Sequence, residues 1–342
     1  MDTISSSMSS RHNHCFDFFK GVACVCVVFM HCEFPGVFGT AVQTMSRFCV
    51  PFFFMLSGYY SYYDNPKKYN AFKKISHIAK ITLFASVFYL LVTLALHLAN
   101  GSQLTVSLRS IINWLVFNQP FLISGHLWFL FALLYDYVLF SLVNKMKLTT
   151  LAPYMIVVLI VAYICLAQGA HLAGMKISNM FYRNFLIEGF PLFMLGYWLH
   201  STNDKVTALF NDRILLFLLL LSTMACLGER MFLGRDLGVN ISTFPQVFAL
   251  FILGMKHPEK YENCIISRFG AKLSMLIYVL HIFVWRRLNT VYKHLHVSDN
   301  AILLYLKPIL VLVITILLSM AITVCMEKAK QWIANRKKIK AE

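Results

Sequence analysis

The sequence predicts an all-α, polytopic membrane protein of about ten transmembrane helices with both termini in the cytoplasm. Three observations lead there. The 342 residues are 58% hydrophobic and only 13% charged, with a mean hydropathy of +0.65, outside the range of soluble globular domains. The apolar residues gather in runs, many of them about as long as a helix needs to cross a hydrocarbon core of ~30 Å. Lysine and arginine collect in alternate segments between those runs.

Residues 1–15 are polar and Ser-rich and are expected to form a cytoplasmic tail. The run after them holds charged residues and no small-residue cleavage pattern, so it reads as a retained first span rather than a signal peptide. The membrane domain, 16–325, then contains ten predicted spans. The first is 16–34, and the second, 41–63, enters from outside and ends in a Ser57-Gly58 pair small enough to let helices approach closely. Long apolar runs give the next three, at 78–99, 123–143 and 151–168. Those at 184–199, 213–228, 241–255 and 272–288 are short or interrupted. The tenth, 301–325, leads into a basic tail, 326–342.

Ten spans put both termini on one side. The segments on that side carry nineteen lysines and arginines, including Arg11, Lys67, Lys68, Lys145, Lys147, Lys256, Lys260 and the Lys328–Lys340 cluster, against eight on the other, among them Arg109, Lys176, Arg183, Arg230 and Arg235. The richer side is expected to be cytoplasmic. The formal net charge of +16 is thereby an orientation signal, and nucleic acid is not an expected partner. Nine cysteines are scattered without the paired spacing of a zinc site or disulfide framework, so no metal is expected.

The first span carries Asp17, Lys20 and His31. At about 100° per residue, Lys20 and His31 differ by about 20° in facing and Asp17 lies about 60° from Lys20. All three share one stripe. Each ionisable group in a span costs at least ~2.5 kcal/mol near the bilayer centre, so the stripe is expected to face protein or a wet cavity. Lys20 and His31 are ~16 Å apart along the axis, too far for one acid-base pair. Arg47, about two turns into the second span, also needs a partner or ligand. Glu188 and Glu33 are the expected structural partners.

The segments CFDFFKG and VVFMH, followed by RFCVPFFFMLSGYY, resemble the opening of the acyltransferase type 3 family of multispanning membrane O-acyltransferases, particularly its fucose O-acetylase-like branch. The resemblance continues in GHLWFLFALLY (125–135), RNFLIEGFPLFMLGYWL (183–199) and LSMLIYVLHIFV (273–284). It implies transfer of an acyl group, commonly acetyl from cytoplasmic acetyl-CoA, to a hydroxyl of a sugar in a surface polysaccharide or glycolipid. Acetyl-CoA would be a co-substrate, with no permanently bound cofactor, and the setting a bacterial cytoplasmic or inner membrane.

The family's basic residue, ten spacers and histidine fall on Lys20 and His31, with Asp17 in the acidic position. Lysine replaces the arginine of many members and loses bidentate phosphate pairing. Where the family has paired arginines, this chain has Lys73, Lys74, His77 and Lys80; Lys73, Lys74 and Lys80 join Lys20 as candidate CoA contacts. O-acyl transfer needs a base and donors for an oxyanion. His31 either deprotonates the acceptor or carries the acyl group, and Arg47 either stabilises the oxyanion or holds the acceptor. His126, Trp128, Glu188 and His281 are the remaining acceptor-side candidates, with Trp128 read alternatively as an interfacial aromatic and His281 as a hydrogen-bonded structural histidine. Buried ionisable residues on ten spans also describe a transporter, which is the rival class; a non-enzymatic scaffold would leave the buried stripe unexplained.

Overall fold

A computed structural model describes residues 12–65, 68–102, 105–120, 124–297 and 300–339. Arg11, Lys67 and Lys340, counted above for orientation, lie outside them, as do residues 1–11 of the amino-terminal tail.

All regular structure among these residues is helical. The chain begins with α1 (His14–His31), α2 (Gly36–Met45), α3 (Cys49–Tyr59), α4 (Ala71–Ala99) and α5 (Leu108–Phe117). It continues with α6 (Trp128–Lys145), α7 (Ala152–Ile164), α8 (Ala170–Leu172), α9 (Phe190–Ser201) and α10 (Asn203–Leu209). It ends with α11 (Asp212–Leu233), α12 (Thr243–Lys256), α13 (Ile265–Lys272), α14 (Ser274–His294) and α15 (Ala301–Ile339). Two π-helical turns, Cys165–Gly169 and Phe185–Gly189, precede α8 and α9.

Among the described residues, six helical stretches are long and apolar enough to cross a bilayer: 14–31, 71–99, 125–145, 148–172, 212–233 and 301–336. A seventh appears if α13 and α14, meeting at an 82° bend, count as one broken span. The difference from ten has a local cause. Hydropathy reads apolar letters across breaks in the backbone. The run 41–63 is α2 and α3 separated by a 3₁₀ turn at Ser46–Phe48. The run 241–255 is the 14-residue α12, and 184–199 is a π turn followed by the 12-residue α9. At 1.5 Å per residue these short helices span well under ~30 Å. They are apolar because they are core: Phe52, Phe54 and Met55 of α3 and Phe193 and Met194 of α9 are fully buried. The long stretches 71–99, 148–172, 212–233 and 301–336 instead expose large apolar side chains such as Leu83, Val157, Leu220 and Leu317. The last helix runs without interruption past residue 325 into the basic tail.

The chain divides into two compact units, Met1–Ser46 with Gly254–Glu342, and Arg47–Leu253. In the first, α1 is pinned at its start. Asn13 caps it by accepting from the Phe16 N–H at 2.7 Å, and donates from Nδ2 to the Gly254 carbonyl at 2.9 Å. The His14 N–H reaches the Pro258 carbonyl at 2.7 Å. Further along, α1 crosses α13 at two glycines. A Cβ on Gly270 would lie 1.8 Å from the Asp17 carbonyl oxygen, and one on Gly21 would lie 2.4 Å from the Ile266 carbonyl oxygen. In the second unit α3 and α9 cross the same way, with a Cβ on Gly58 falling 1.8 Å from the Phe193 oxygen and one on Gly196 1.8 Å from the Met55 oxygen. The small pair Ser57-Gly58 thus does what its sequence suggests.

These contacts are backbone to glycine, so no rotamer change relieves an added methyl. Gly270→Ala should lower the melting temperature in detergent, with a destabilisation larger than the ~1–3 kcal/mol typical of overpacking. Gly228→Ala, on α11 where an added Cβ would meet nothing within 4 Å, should be neutral or gain up to ~1 kcal/mol from helix propensity. Equal melting of the two variants would contradict the close crossing.

Candidate functional site

Asp17 lies in the first turn of α1, and its carboxylate is buried. It pairs with Lys20 one turn on and with His12 just before the helix. The pairing holds the Lys20 ammonium at the start of the span while leaving part of that side chain exposed. His12, His14 and Asp17 could also offer three metal-ligand atoms within 4.8 Å of one another. The ammonium of Lys20 on the same carboxylate would repel a cation there, so the arrangement suits a held lysine better than a metal.

His31 lies in the last turn of α1, at the far end of the same helix. Its ring stands 5.1 Å, centroid to centroid, from that of His281 on α14. His281 is buried and donates from Nδ1 to the Ile277 carbonyl at 3.1 Å, which places a proton on Nδ1. The first unit therefore brings together Asp17 with Lys20 and, separately, His31 with His281.

The second unit holds the other candidates. Arg47 pairs with Asp236, in the segment between α11 and α12. Glu188, in the second π turn, is buried within electrostatic reach of Arg183 and Arg47. Trp128 is also buried, with the Arg183 guanidinium 4.8 Å from its ring centroid. His126 is buried edge-on to Tyr89, with ring centroids 4.9 Å apart.

Two asparagines build this corner. Asn118 donates to the Trp128 carbonyl at 3.2 Å and accepts from the Phe185 N–H at 2.9 Å, joining the start of α6 to the π turn. Asn184 accepts from the N–H groups of Leu186 and Ile187, both at 3.0 Å.

On α4, Lys73, His77 and Lys80 are exposed and recur at helical spacing along one stripe. Lys74 points elsewhere and donates to the Tyr60 carbonyl at 2.9 Å.

Asp136 on α6 is fully buried, and neither carboxyl oxygen has a hydrogen-bond partner among the described residues. A Cβ on Gly189, the last residue of the π turn, would lie 2.5 Å from its Oδ2. Sequence reasoning passed over Asp136, although a lone acid inside an apolar span is a signal in itself. Asp236, Asn118 and Asn184 carried no such signal.

A family profile described as Acyltransferase domain matches residues 13–328. The searches of curated proteins and of solved structures found no match.

Because Gly189 meets a side chain, an alanine there is open to rescue. Gly189→Ala should lower the melting temperature, and Asp136→Ala in the same chain should recover part of the loss by removing the carboxyl. The double variant should be more stable than the sum of the single effects by about 0.5–3 kcal/mol, as expected of touching residues. Strict additivity would show that the two positions do not meet.

Proposed function

The chain belongs to the acyltransferase type 3 family and is a multi-pass membrane acyltransferase, and we propose that it transfers acetyl from cytoplasmic acetyl-CoA to a hydroxyl of a cell-surface polysaccharide or lipid-linked glycan, with His31 as base. Within the family we assign it to the fucose O-acetylase-like branch. The observation that carries this reading is the placement of Lys20 and His31 at opposite ends of one helix, the lysine anchored by Asp17 and the histidine beside His281.

In the transfer, His31 takes the proton of the acceptor hydroxyl as its oxygen attacks the thioester carbonyl. The tetrahedral oxyanion collapses, the C–S bond breaks, and the CoA thiolate takes the proton back from His31, leaving an O-acetyl ester and free CoA. Placement in the last turn of α1 favours the transient imidazolium, since the helix dipole is negative there. His281 limits the freedom of the His31 ring. Lys20 meets CoA at the inner end, with Asp17 positioning it. The exposed stripe of Lys73 and Lys80 reaches the phosphates, and Lys74, held to the Tyr60 carbonyl, supports that helix end. In the second unit we assign Arg47 to the oxyanion or the acceptor, and His126, Trp128 and Glu188 to the acceptor.

We also propose that the short apolar helices α3, α9 and α12 lie in the bilayer with the longer ones, making about ten embedded segments. We place both termini in the cytoplasm, in a bacterial cytoplasmic or inner membrane, on the lysine and arginine asymmetry alone.

His31 should be indispensable for transfer and dispensable for folding. His31→Ala and His31→Gln, shown to match wild type in monodispersity and melting, should lose about 10²- to 10⁴-fold in acetyl-CoA-dependent modification of isolated surface glycan. Near-normal turnover in either variant would remove His31 from the chemistry. A wild-type protein that transfers no acyl group but moves a solute across proteoliposomes would establish the transporter instead.

A further inference from the structure

The second unit contains a cavity of about 330 Å³ that none of the assignments above uses. It opens where the end of the long span 148–172 meets residues 175–178, Tyr182 and the 235–237 segment. Its volume is at the small end of ligand sites, which run from ~300 to ~1,000 Å³. That suits a sugar residue and is too small for CoA.

The frame is fixed from several sides. The His171 ring donates from Nε2 to the Leu233 carbonyl at 3.1 Å, tying α8 to the end of α11. Gly234 then turns the chain with φ +66°. The Val239 N–H donates to the Tyr163 hydroxyl at 2.9 Å, and the Gly238 N–H to Asp236 Oδ1 at 3.0 Å. Tyr163, Ala167, Tyr182 and Val239 pack as one buried cluster. A frame held this way costs little ordering when a ligand enters.

Lys176 and Arg235 both line the cavity, and no carboxylate does. The acid nearest in sequence, Asp236, is taken up by Arg47. Among the described residues neither Lys176 nor Arg235 has an ion-pair partner. Two cations lining a cavity that has no carboxylate in its lining attract an oxyanion, which a guanidinium can take in two parallel hydrogen bonds. Ser178 and Tyr182, which carry hydroxyls, also line the cavity. Burial raises the Tyr182 phenol above its ordinary value, while the charges of Arg235 and Arg183 act in the opposite sense, so it is a neutral hydrogen-bonding group. Tyr182 also lies within electrostatic reach of Arg183 and Glu188, which connects the cavity to the polar corner around Trp128.

We propose that this cavity binds an acid group, a carboxylate or phosphate, carried by the acceptor glycan, with Lys176 and Arg235 on the oxyanion and Ser178 and Tyr182 on the sugar hydroxyls. That the ligand is the acceptor rests on the acyl-transfer reading above; the preference for an anionic sugar rests on the cavity alone. An anionic lipid headgroup carries the same phosphate chemistry, but a concave wall bearing hydroxyls and an aromatic ring fits a sugar residue better.

The test uses the full chain in nanodiscs of zwitterionic lipid, without acyl donor, titrated with glucuronate, glucose 1-phosphate and glucose. Both anionic sugars should bind at least about tenfold more tightly than glucose. Lys176→Gln and Arg235→Gln should each weaken them by about tenfold or more, the loss expected of one charge-assisted hydrogen bond. Lys176→Arg should retain most of the binding, and Arg235→Lys, which keeps the charge but loses the paired hydrogen bonds, should fall between wild type and the glutamine variant. Equal binding of glucose, or no effect of either glutamine variant, would overturn the proposal. So would failure of the anionic sugars to bind together with weaker retention of phosphatidylglycerol by the variants, because the cations would then serve a lipid. Charge-selective binding in a protein that transfers no acetyl would count against the acyl-transfer reading and leave the cavity assignment standing; transfer without charge-selective binding would do the reverse.

Discussion

In hydrocarbon, helices gain little by burying apolar faces against each other, because lipid tails are equally apolar. What remains is close contact, and glycine permits the closest. The α1–α13 crossing is the contact on which the first unit depends. Gly270 packs against the carbonyl of Asp17 and Gly21 against the carbonyl of Ile266, so the backbone carrying the buried ion pair is clamped where the pair begins. The α3–α9 crossing at Gly58 and Gly196 does the same for the second unit. In both places the side chains that matter are held by backbone geometry, which a bilayer cannot compete for.

The charges follow from the same solvent. An ionisable group in a span is tolerated when paired or hydrogen-bonded, and Asp17 with Lys20 and Arg47 with Asp236 are so paired. Pairing also leaves each cation in one position. A lysine anchored at one end of a helix and a histidine at the other give a single rigid rod two chemically different ends, ~16 Å apart. That is the division of labour an acyl transfer needs if donor and acceptor arrive from opposite sides.

The stripe of Asp17, Lys20 and His31 was legible in the sequence because all three lie on one helix, where spacing alone fixes facing. Contacts between distant segments were not. The ring of His281 reaches His31 from 250 positions away, and Asp236 reaches Arg47 from a connecting segment that no periodicity marks. Trp128, readable as an interfacial aromatic, is buried under Arg183. The helical class was legible from composition. Span lengths were not, since apolar letters continue through the 3₁₀ turn at Ser46–Phe48 while the helix does not, and since a short core helix such as α9 is as apolar as a lipid-facing one.

The central claim is that the two ends of α1 do different work. The most direct measurement is the steady-state kinetics of Lys20→Ala and Lys20→Arg, with acetyl-CoA and acceptor glycan varied independently in folded protein. The account expects Lys20→Ala to raise the KM for acetyl-CoA about tenfold or more, the loss of a charge-assisted contact. The acceptor KM should stay near wild type, and Lys20→Arg should retain most of the donor affinity. An unchanged donor KM in Lys20→Ala, or an equal rise for both substrates, would contradict it and leave the buried pair a structural feature alone.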